Sequence, residues 1–207
     1  MFSLLGLLIV GLMGILPPAQ AGDRGASDRE QAKIFAFLDE FHAVDPINPP
    51  VPLGGLSVEG TEKSISAGGK QGQTRLINLW ATWCPPCVEE LPQLDRLKYL
   101  KADKGFDVWA VSTDSRMTIT RIDYFLKHRG IKSLTPLLDS KGSLEDALKA
   151  SALPISYLVD ERGEAVLALY GPANWASRGG QAFIDRWRKD PKIVQAYLTR
   201  DKDKKAD

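Results

Sequence analysis

Two cysteines separated by two prolines stand where an apolar strand gives way to a helix, and this junction constrains the fold more than any other feature. Residues 76–80 are an apolar run that predicts a buried strand, and residues 88–100 carry leucines at helical spacing. Residues 84–87 between them are Cys-Pro-Pro-Cys. We therefore expect Cys84 at the N-terminus of the helix and Cys87 about one turn inside it.

This position favours redox chemistry at the two cysteines. Unpaired backbone N–H groups and the positive end of the helix dipole stabilise a thiolate at Cys84, which can attack a substrate disulfide. Cys87, deeper on the same face, would then attack the mixed disulfide and release the reduced product. Pro85 and Pro86 suit the first turn of a helix, where backbone N–H groups have no partner within the helix.

A structural disulfide and a zinc site are the alternatives to a redox pair. A disulfide across two intervening residues stabilises a fold little, because the entropy removed from the unfolded chain grows with loop length. A zinc site needs four ligands, commonly Cys or His, and the only histidines, His42 and His128, are each isolated in the sequence. The pattern therefore favours redox chemistry over either alternative.

The first 21 residues have the composition of an export signal. They contain no charged side chain, and their apolar run, residues 4–16, is shorter than the roughly 20 residues that span a membrane. Residues 19–21, Ala-Gln-Ala, match a signal peptidase site. Residues 1–21 are therefore predicted to be a signal peptide, with an uncleaved membrane anchor as the alternative. Either one places the folded part outside the cytoplasm, in the periplasm or an equivalent compartment.

The 207-residue chain has the composition of one globular domain with extensions. Its 27 basic and 26 acidic residues nearly cancel, whereas nucleic-acid-binding proteins carry a clear basic excess. Apolar residues at helical spacing, among them Ile34, Phe37 and Phe41, predict a helix before the Pro-rich residues 45–52, which are expected to form a linker. The predicted divisions are a helical extension with its linker (residues 22–51), a main domain (52–190) and a C-terminal helix with a charged tail (191–207).

Strand-like and helical patterns alternate through the main domain. Strands are predicted at residues 76–80, 106–111, 155–159 and 165–170, and helices at residues 88–100, 119–127, 143–150 and 181–188. The last two strands are joined by a turn too short for a crossover, so they are antiparallel. The expected fold is α/β, with a central mixed sheet flanked by helices.

These features resemble the thioredoxin superfamily, and within it the TlpA/ResA group of extracytoplasmic thiol–disulfide reductases. Besides the cysteine motif, the resemblance rests on Pro92, where this superfamily kinks its active-site helix, and on Asn78, where cytoplasmic thioredoxins have a buried acid. Glu90 stands where ResA-like proteins keep an acidic residue close to the cysteines. The resemblance covers residues 52–190 and implies a thioredoxin-like fold.

The resemblance implies a site around the cysteines that uses no metal or cofactor. Glu90, three residues after Cys87 and so on the same helical face, would take the proton of that thiol; the alternative is a solvent-exposed glutamate like Glu89. A cis peptide bond before Pro154 would expose the Leu153 backbone to an extended substrate. The expected catalytic residues are Cys84, Cys87 and Glu90, and the expected substrate-binding residues are Trp83, Pro85, Pro86, Leu153 and Pro154.

The function implied by the resemblance is that of a periplasmic reductase. Its protein substrates would carry cysteines or disulfides, as apocytochromes c before haem attachment or copper-site assembly proteins do, and a membrane thiol–disulfide protein would supply electrons. A disulfide oxidase or isomerase of the same fold is the main alternative, although Pro85 and Pro86 resemble the reductases. A copper chaperone is less favoured, because copper carriers of this fold space their cysteines more widely. Contact with the membrane is expected only through the N-terminal segment.

Overall fold

A computed structural model of the chain describes residues 21–101 and 105–206, and it describes side chains from residue 27 to residue 201 within those ranges. The predicted leader, residues 1–21, lies outside this description apart from the backbone of Ala21. The helices within the described residues do not include one long and apolar enough to cross a membrane.

The described residues form helices packed against one mixed sheet. The helices are α1 (Ala21–Leu38), α2 (Pro85–Lys101), α3 (Ile119–His128), α4 (Ser143–Ala147), α5 (Arg178–Lys189) and α6 (Lys192–Ala206). The strands are β1 (Ala43–Pro52), β2 (Ser57–Gly60), β3 (Ser64–Ser66), β4 (Thr74–Trp80), β5 (Phe106–Ser112), β6 (Leu137–Leu138), β7 (Ile155–Val159) and β8 (Glu164–Tyr170). Their order in the sheet is β1-β8-β7-β4-β5-β6-β2-β3. The predicted mixed sheet flanked by helices is confirmed.

Strand β4 lies inside the sheet, parallel to β5 and antiparallel to β7. All of its residues are buried, which explains why both of its faces carry large apolar side chains, Leu76 and Trp80 on one and Ile77 and Leu79 on the other. Leu76 and Trp80 join the core formed with helices α1, α2, α3 and α5, whereas Ile77 and Leu79 join the core on the α4 side. Because side chains alternate along a strand, Asn78 shares the face of Leu76 and Trp80, beneath α2.

Helix α1 belongs to the main core rather than standing apart from it. Ile34, Phe37 and Leu38 are buried, as their helical spacing predicts, and α1 packs against α5. The ring centroid of Phe37 lies 5.2 Å from that of Trp175 and 5.8 Å from that of Phe183. The N-terminal helix therefore covers apolar side chains that follow the last strand of the sheet.

The Pro-rich residues 45–52 are not a linker, and that prediction is wrong. They belong to β1, which pairs antiparallel with β8. Proline lacks a backbone N–H and is tolerated only on an edge strand, where one side of the ladder needs no donor. The β1–β8 register is accordingly irregular between Pro46 and Val51, and the Asn48–Pro49 peptide is cis.

The C-terminal helix predicted within residues 191–207 is α6. The Tyr197 hydroxyl donates a hydrogen bond to the Leu38 carbonyl at 3.3 Å, which joins α6 to the end of α1. Ile193 and Val194 are buried in the main core. The side chains of the predicted charged tail beyond residue 201 lie outside the described residues.

Phe37→Ala should destabilise the whole domain, because α1 is part of its core. Phe37 is only 1% exposed, and truncating a buried phenylalanine lowers the free energy of unfolding by about 3–5 kcal/mol. Tyr124→Ala is the matched control: this ring is 67% exposed, so a loss below about 0.5 kcal/mol is expected. Urea unfolding of the oxidised protein measures both. Equal small losses would mean that α1 is a dispensable appendage.

Candidate active site

The turn after β4 delivers the two cysteines to the start of α2. The Cys84 carbonyl accepts a hydrogen bond from the Val88 N–H at 3.1 Å, so Cys84 is the residue that caps the helix, as predicted. Cys84 and Cys87 form a disulfide with an S–S distance of 2.03 Å. Cys84 is 5% exposed and Cys87 is fully buried. A substrate can therefore reach the sulfur of Cys84 more readily than that of Cys87.

The two prolines determine which backbone group faces the Cys84 sulfur. Pro85 and Pro86 occupy the first two positions of α2 and have no N–H, so the first helical N–H available is that of Cys87. This N–H donates to Cys84 Sγ at 3.4 Å. In the reduced protein the same contact, together with the positive end of the helix dipole, stabilises a thiolate at Cys84.

Asp114 anchors the loop that leads to Cys84. Its carboxylate accepts hydrogen bonds from the Thr82 N–H and the Thr82 hydroxyl, each at 2.8 Å, and from the Ser112 hydroxyl at 2.7 Å. Asp114 was not among the residues predicted to form the site. The signal was present, because Asp114 follows the end of β5, and the carboxyl ends of neighbouring parallel strands meet at one edge of a sheet.

Glu90 is buried one turn beyond Cys87, so the alternative of a solvent-exposed glutamate is excluded. Its Oε1 accepts hydrogen bonds from the Ala173 N–H at 2.9 Å and the Trp175 indole N–H at 2.8 Å. Its Oε2 accepts one from the Asn78 amide at 3.0 Å. Burial raises the pKa of Glu90 from 4.5 to about 7, although the three hydrogen bonds act in the opposite direction.

The Asn78 side chain connects Glu90 to strand β7. Asn78 pairs with Ser156 in the antiparallel β4–β7 register, and its Nδ2 donates to the Ser156 hydroxyl oxygen at 3.0 Å. Ser156 follows Pro154 by two residues, and the Leu153–Pro154 peptide is cis, which confirms the expected isomer. A continuous polar chain thus runs from helix α2 to the strand behind the cis proline.

A cavity of about 330 Å³ opens beside Cys84. It brings together three of the residues predicted to bind substrate, Trp83, Pro85 and Leu153, while Pro86 and Pro154 are not among the residues that line it. Trp83 is 70% exposed, an unusual state for so large an apolar ring. Glu145, which was not among the predicted site residues, is the one acidic side chain among the described residues that line the cavity.

The described residues contain no group of three or more His, Cys, Asp or Glu side chains that could hold a metal ion. His42 lies beside Gly171, at the start of β1, and His128 stacks on Tyr124 at the end of α3. The two histidines thus lie on separate elements.

Glu90→Gln should remove a pH dependence from the stability of the protein. The pKa of Glu90 rises from 4.5 to about 7 on folding, so the folded chain binds this proton more tightly than the unfolded chain. That stabilisation is complete below the unfolded value and is lost as the pH rises through the folded one. We expect the unfolding free energy of the wild type relative to Glu90→Gln to fall by about 3 kcal/mol between about pH 4 and about pH 8.

The measurement is urea unfolding of the oxidised proteins across that pH range. Glu89→Gln is the matched control, because Glu89 is the exposed neighbour of Glu90 on the same helix. The difference between wild type and Glu89→Gln should stay constant with pH. A constant difference for Glu90→Gln as well would show that the Glu90 carboxyl titrates at an ordinary pKa.

Sequence comparison places this site among known redox proteins. Residues 43–177 match the Redoxin family. The chain is 30% identical over 142 residues to sporulation thiol-disulfide oxidoreductase A of Bacillus subtilis strain 168, covering 67% of this chain and 84% of that protein. It is 27% identical over 139 residues to thiol-disulfide oxidoreductase ResA of Oceanobacillus iheyensis, covering 64% of this chain and 71% of that protein.

Comparison with solved structures agrees on the fold. A thioredoxin-family thiol:disulfide interchange protein from Chlorobium tepidum TLS superposes with a TM-score of 0.53 at 24% identity, covering 69% of this chain and 97% of that one. The expected thioredoxin-like fold is confirmed. With the Cys84–Cys87 disulfide at the start of α2, these matches show that the chain belongs to the Redoxin family and is a thiol–disulfide oxidoreductase.

Proposed function

We propose that this oxidoreductase works as an extracytoplasmic reductase of cysteines in exported proteins. The contact at the start of α2, where the Cys87 N–H donates to Cys84 Sγ, supports Cys84 as the attacking sulfur. The reducing direction rests on Pro85 and Pro86 between the cysteines, which resemble those of the reductases. Donors aimed at this sulfur stabilise the thiolate that the reduced protein must present to a substrate disulfide. The same stabilisation makes Cys84 a good leaving group when the protein is itself reduced again.

The reaction transfers two electrons from the Cys84–Cys87 dithiol to a substrate disulfide. The Cys84 thiolate attacks one substrate sulfur, so that a bond from Cys84 to that sulfur forms, the substrate S–S bond breaks, and the other substrate sulfur leaves as a thiolate. The Cys87 thiolate then attacks Cys84 Sγ, closing the protein disulfide and releasing the second substrate thiolate. Each substrate thiolate takes up a proton, and a dithiol donor reduces the protein disulfide again.

Glu90 takes the proton that Cys87 must lose before it attacks. Cys87 is fully buried, and Glu90 is the buried carboxyl one turn further along the same helix. A general base is most effective when its pKa lies near the working pH. The pKa of Glu90, raised to about 7 by burial, meets that condition near neutrality.

The substrate lies in the cavity beside Cys84, against Trp83, Pro85 and Leu153. Pro86 and the cis Pro154 do not line this cavity, although each directly follows a residue that does, Pro85 and Leu153. An extended substrate segment placed there can add hydrogen bonds along the Leu153 backbone, as strands do at an exposed edge. The exposed Trp83 ring supplies apolar contact area next to the attacking sulfur.

The predicted export of the chain supports the choice of substrates. The predicted leader, residues 1–21, would deliver the protein to an oxidising compartment, the periplasm, where exposed thiols of other proteins become oxidised. Proteins that need free cysteines there, such as apocytochromes c before haem attachment or proteins that assemble copper sites, are the clients we propose. A membrane thiol–disulfide protein supplies the electrons.

Cysteine variants test the direction of attack. The reduced protein should reduce insulin disulfides, Cys84→Ser should have no activity, and Cys87→Ser should accumulate a mixed disulfide through Cys84. A disulfide-bonded peptide with the Cys-x-x-Cys-His haem-attachment motif is the client-like probe, and we expect it to form the same adduct. Mass spectrometry of the trapped species identifies the attacking sulfur.

Glu90→Gln should slow turnover by about 100-fold or more at neutral pH, the usual contribution of a general base, while Glu89→Gln should leave it unchanged. An adduct on Cys87, or activity retained by Cys84→Ser, would contradict the assignment of the nucleophile. Equal rates for wild type and Glu90→Gln would contradict the role of the carboxyl.

A further inference from the structure

The two oxygens of the Glu90 carboxyl have different surroundings, which determines where a proton can bind. Oε1 already accepts two hydrogen bonds, from the Ala173 N–H and the Trp175 indole N–H. Both donors are fixed, because neither a backbone amide nor an indole nitrogen can become an acceptor. A proton on Oε1 would point at these donor hydrogens and have no acceptor. The proton therefore binds to Oε2, the oxygen that faces Asn78.

Asn78 is oriented for the ionised form of Glu90. Its Nδ2 carries two hydrogens and donates one to Glu90 Oε2 and one to Ser156 Oγ, each at 3.0 Å. The other end of the amide is left unused. Asn78 Oδ1 is buried, and among the described residues it has no hydrogen-bond partner. An unpaired buried carbonyl is unfavourable, so this arrangement leaves part of the amide's hydrogen-bonding capacity unsatisfied.

Protonation of Glu90 changes what Oε2 needs from Asn78, from a hydrogen-bond donor to an acceptor. Once Oε2 carries a proton it is a donor, and the Asn78 Nδ2 facing it is a donor as well. A half-turn of the amide exchanges Nδ2 and Oδ1, which have nearly the same size and shape. Oδ1 then accepts hydrogen bonds from the Glu90 Oε2–H and from the Ser156 hydroxyl, which rotates its own hydrogen toward it.

We propose that Asn78 is a positioning residue whose side-chain amide reverses each time Glu90 gains or loses its proton, with the Ser156 hydroxyl rotating in step. Each form of Glu90 thereby keeps a hydrogen bond at Oε2, which accepts from Asn78 when ionised and donates to Asn78 when protonated, and the carboxyl keeps its place one turn beyond Cys87. The inference rests on the proposed function in one respect: the proton in question is the one that Cys87 gives up.

The response of Asn78 to protonation of Glu90 depends on hydrogen bonds rather than on nearby charges. Burial raises the pKa of Glu90, the hydrogen bonds from Ala173, Trp175 and Asn78 oppose that rise, and no charged side chain among the described residues contributes. Strand β4 presents Asn78, and the segment between β8 and α5 presents Ala173 and Trp175. On α2 itself, Glu89 is exposed and the cysteines are paired in the disulfide.

Nuclear magnetic resonance of the oxidised full-length chain tests the reversal without any substrate. In the wild type, contacts from the Asn78 Nδ2 hydrogens to the Ser156 β-hydrogens should be present above the Glu90 midpoint and lost below it. In Glu90→Gln, the glutamine Nε2 occupies the Oε2 position as a permanent donor. The low-pH pattern should therefore persist at every pH. Contacts that stay unchanged through the Glu90 titration would overturn the proposal.

Asn78→Leu gives a second, independent readout. An amide that only donates would stabilise the carboxylate, and its loss would raise the pKa of Glu90. If the amide serves both forms, its loss removes a donor from the ionised form and an acceptor from the protonated form. The Glu90 midpoint should then move by less than about 0.5 pH unit. Thr74→Val, a hydroxyl deletion at the other end of β4, controls for strand perturbation. A clear rise would overturn the proposal even where insulin reduction is intact, whereas failure of the wild-type protein to reduce insulin would contradict only the reductase function.

Discussion

Burial of the Glu90 carboxylate constrains four parts of the fold at once. A carboxylate removed from water must find donors, and it finds them on the segment after β8, through Ala173 and Trp175, and on β4, through Asn78. Asn78 also donates a hydrogen bond to the Ser156 hydroxyl on β7. The helix that carries the cysteines is thereby tied to both strands flanking the site, and a shift of any of these elements would leave a buried group unpaired.

A second carboxylate holds the other side of the site. Asp114 fixes Thr82, two residues before Cys84, while the Cys87 N–H faces the Cys84 sulfur from within the helix. Both arrangements are present while the disulfide is closed. The reactive sulfur is thus held by groups that are already in place, which is the condition for stabilising a thiolate without reorganising the protein.

The local parts of the site follow from the sequence, and the distant ones do not. The Cys84–Cys87 pair, the strand before it and the cis bond at Pro154 follow from spacing or from the family resemblance. The contacts of Glu90 with Trp175 join residues 85 positions apart, a separation that no local pattern encodes, and Trp175 has the sequence context of an ordinary packing residue. Strand β1 was missed because its prolines, which indicate a linker, are also compatible with a sheet edge.

The direction of electron flow depends on how strongly the Cys84–Cys87 disulfide resists reduction. Fold alone does not decide it, because oxidases and reductases share this architecture. The most direct measurement is the equilibrium reduction potential of the pair against a dithiothreitol or glutathione buffer at about pH 7. A reductase should give a value well below about −200 mV. A value near about −120 mV, that of a strong oxidant, would contradict the reductase function and reverse the direction of electron transfer to the client.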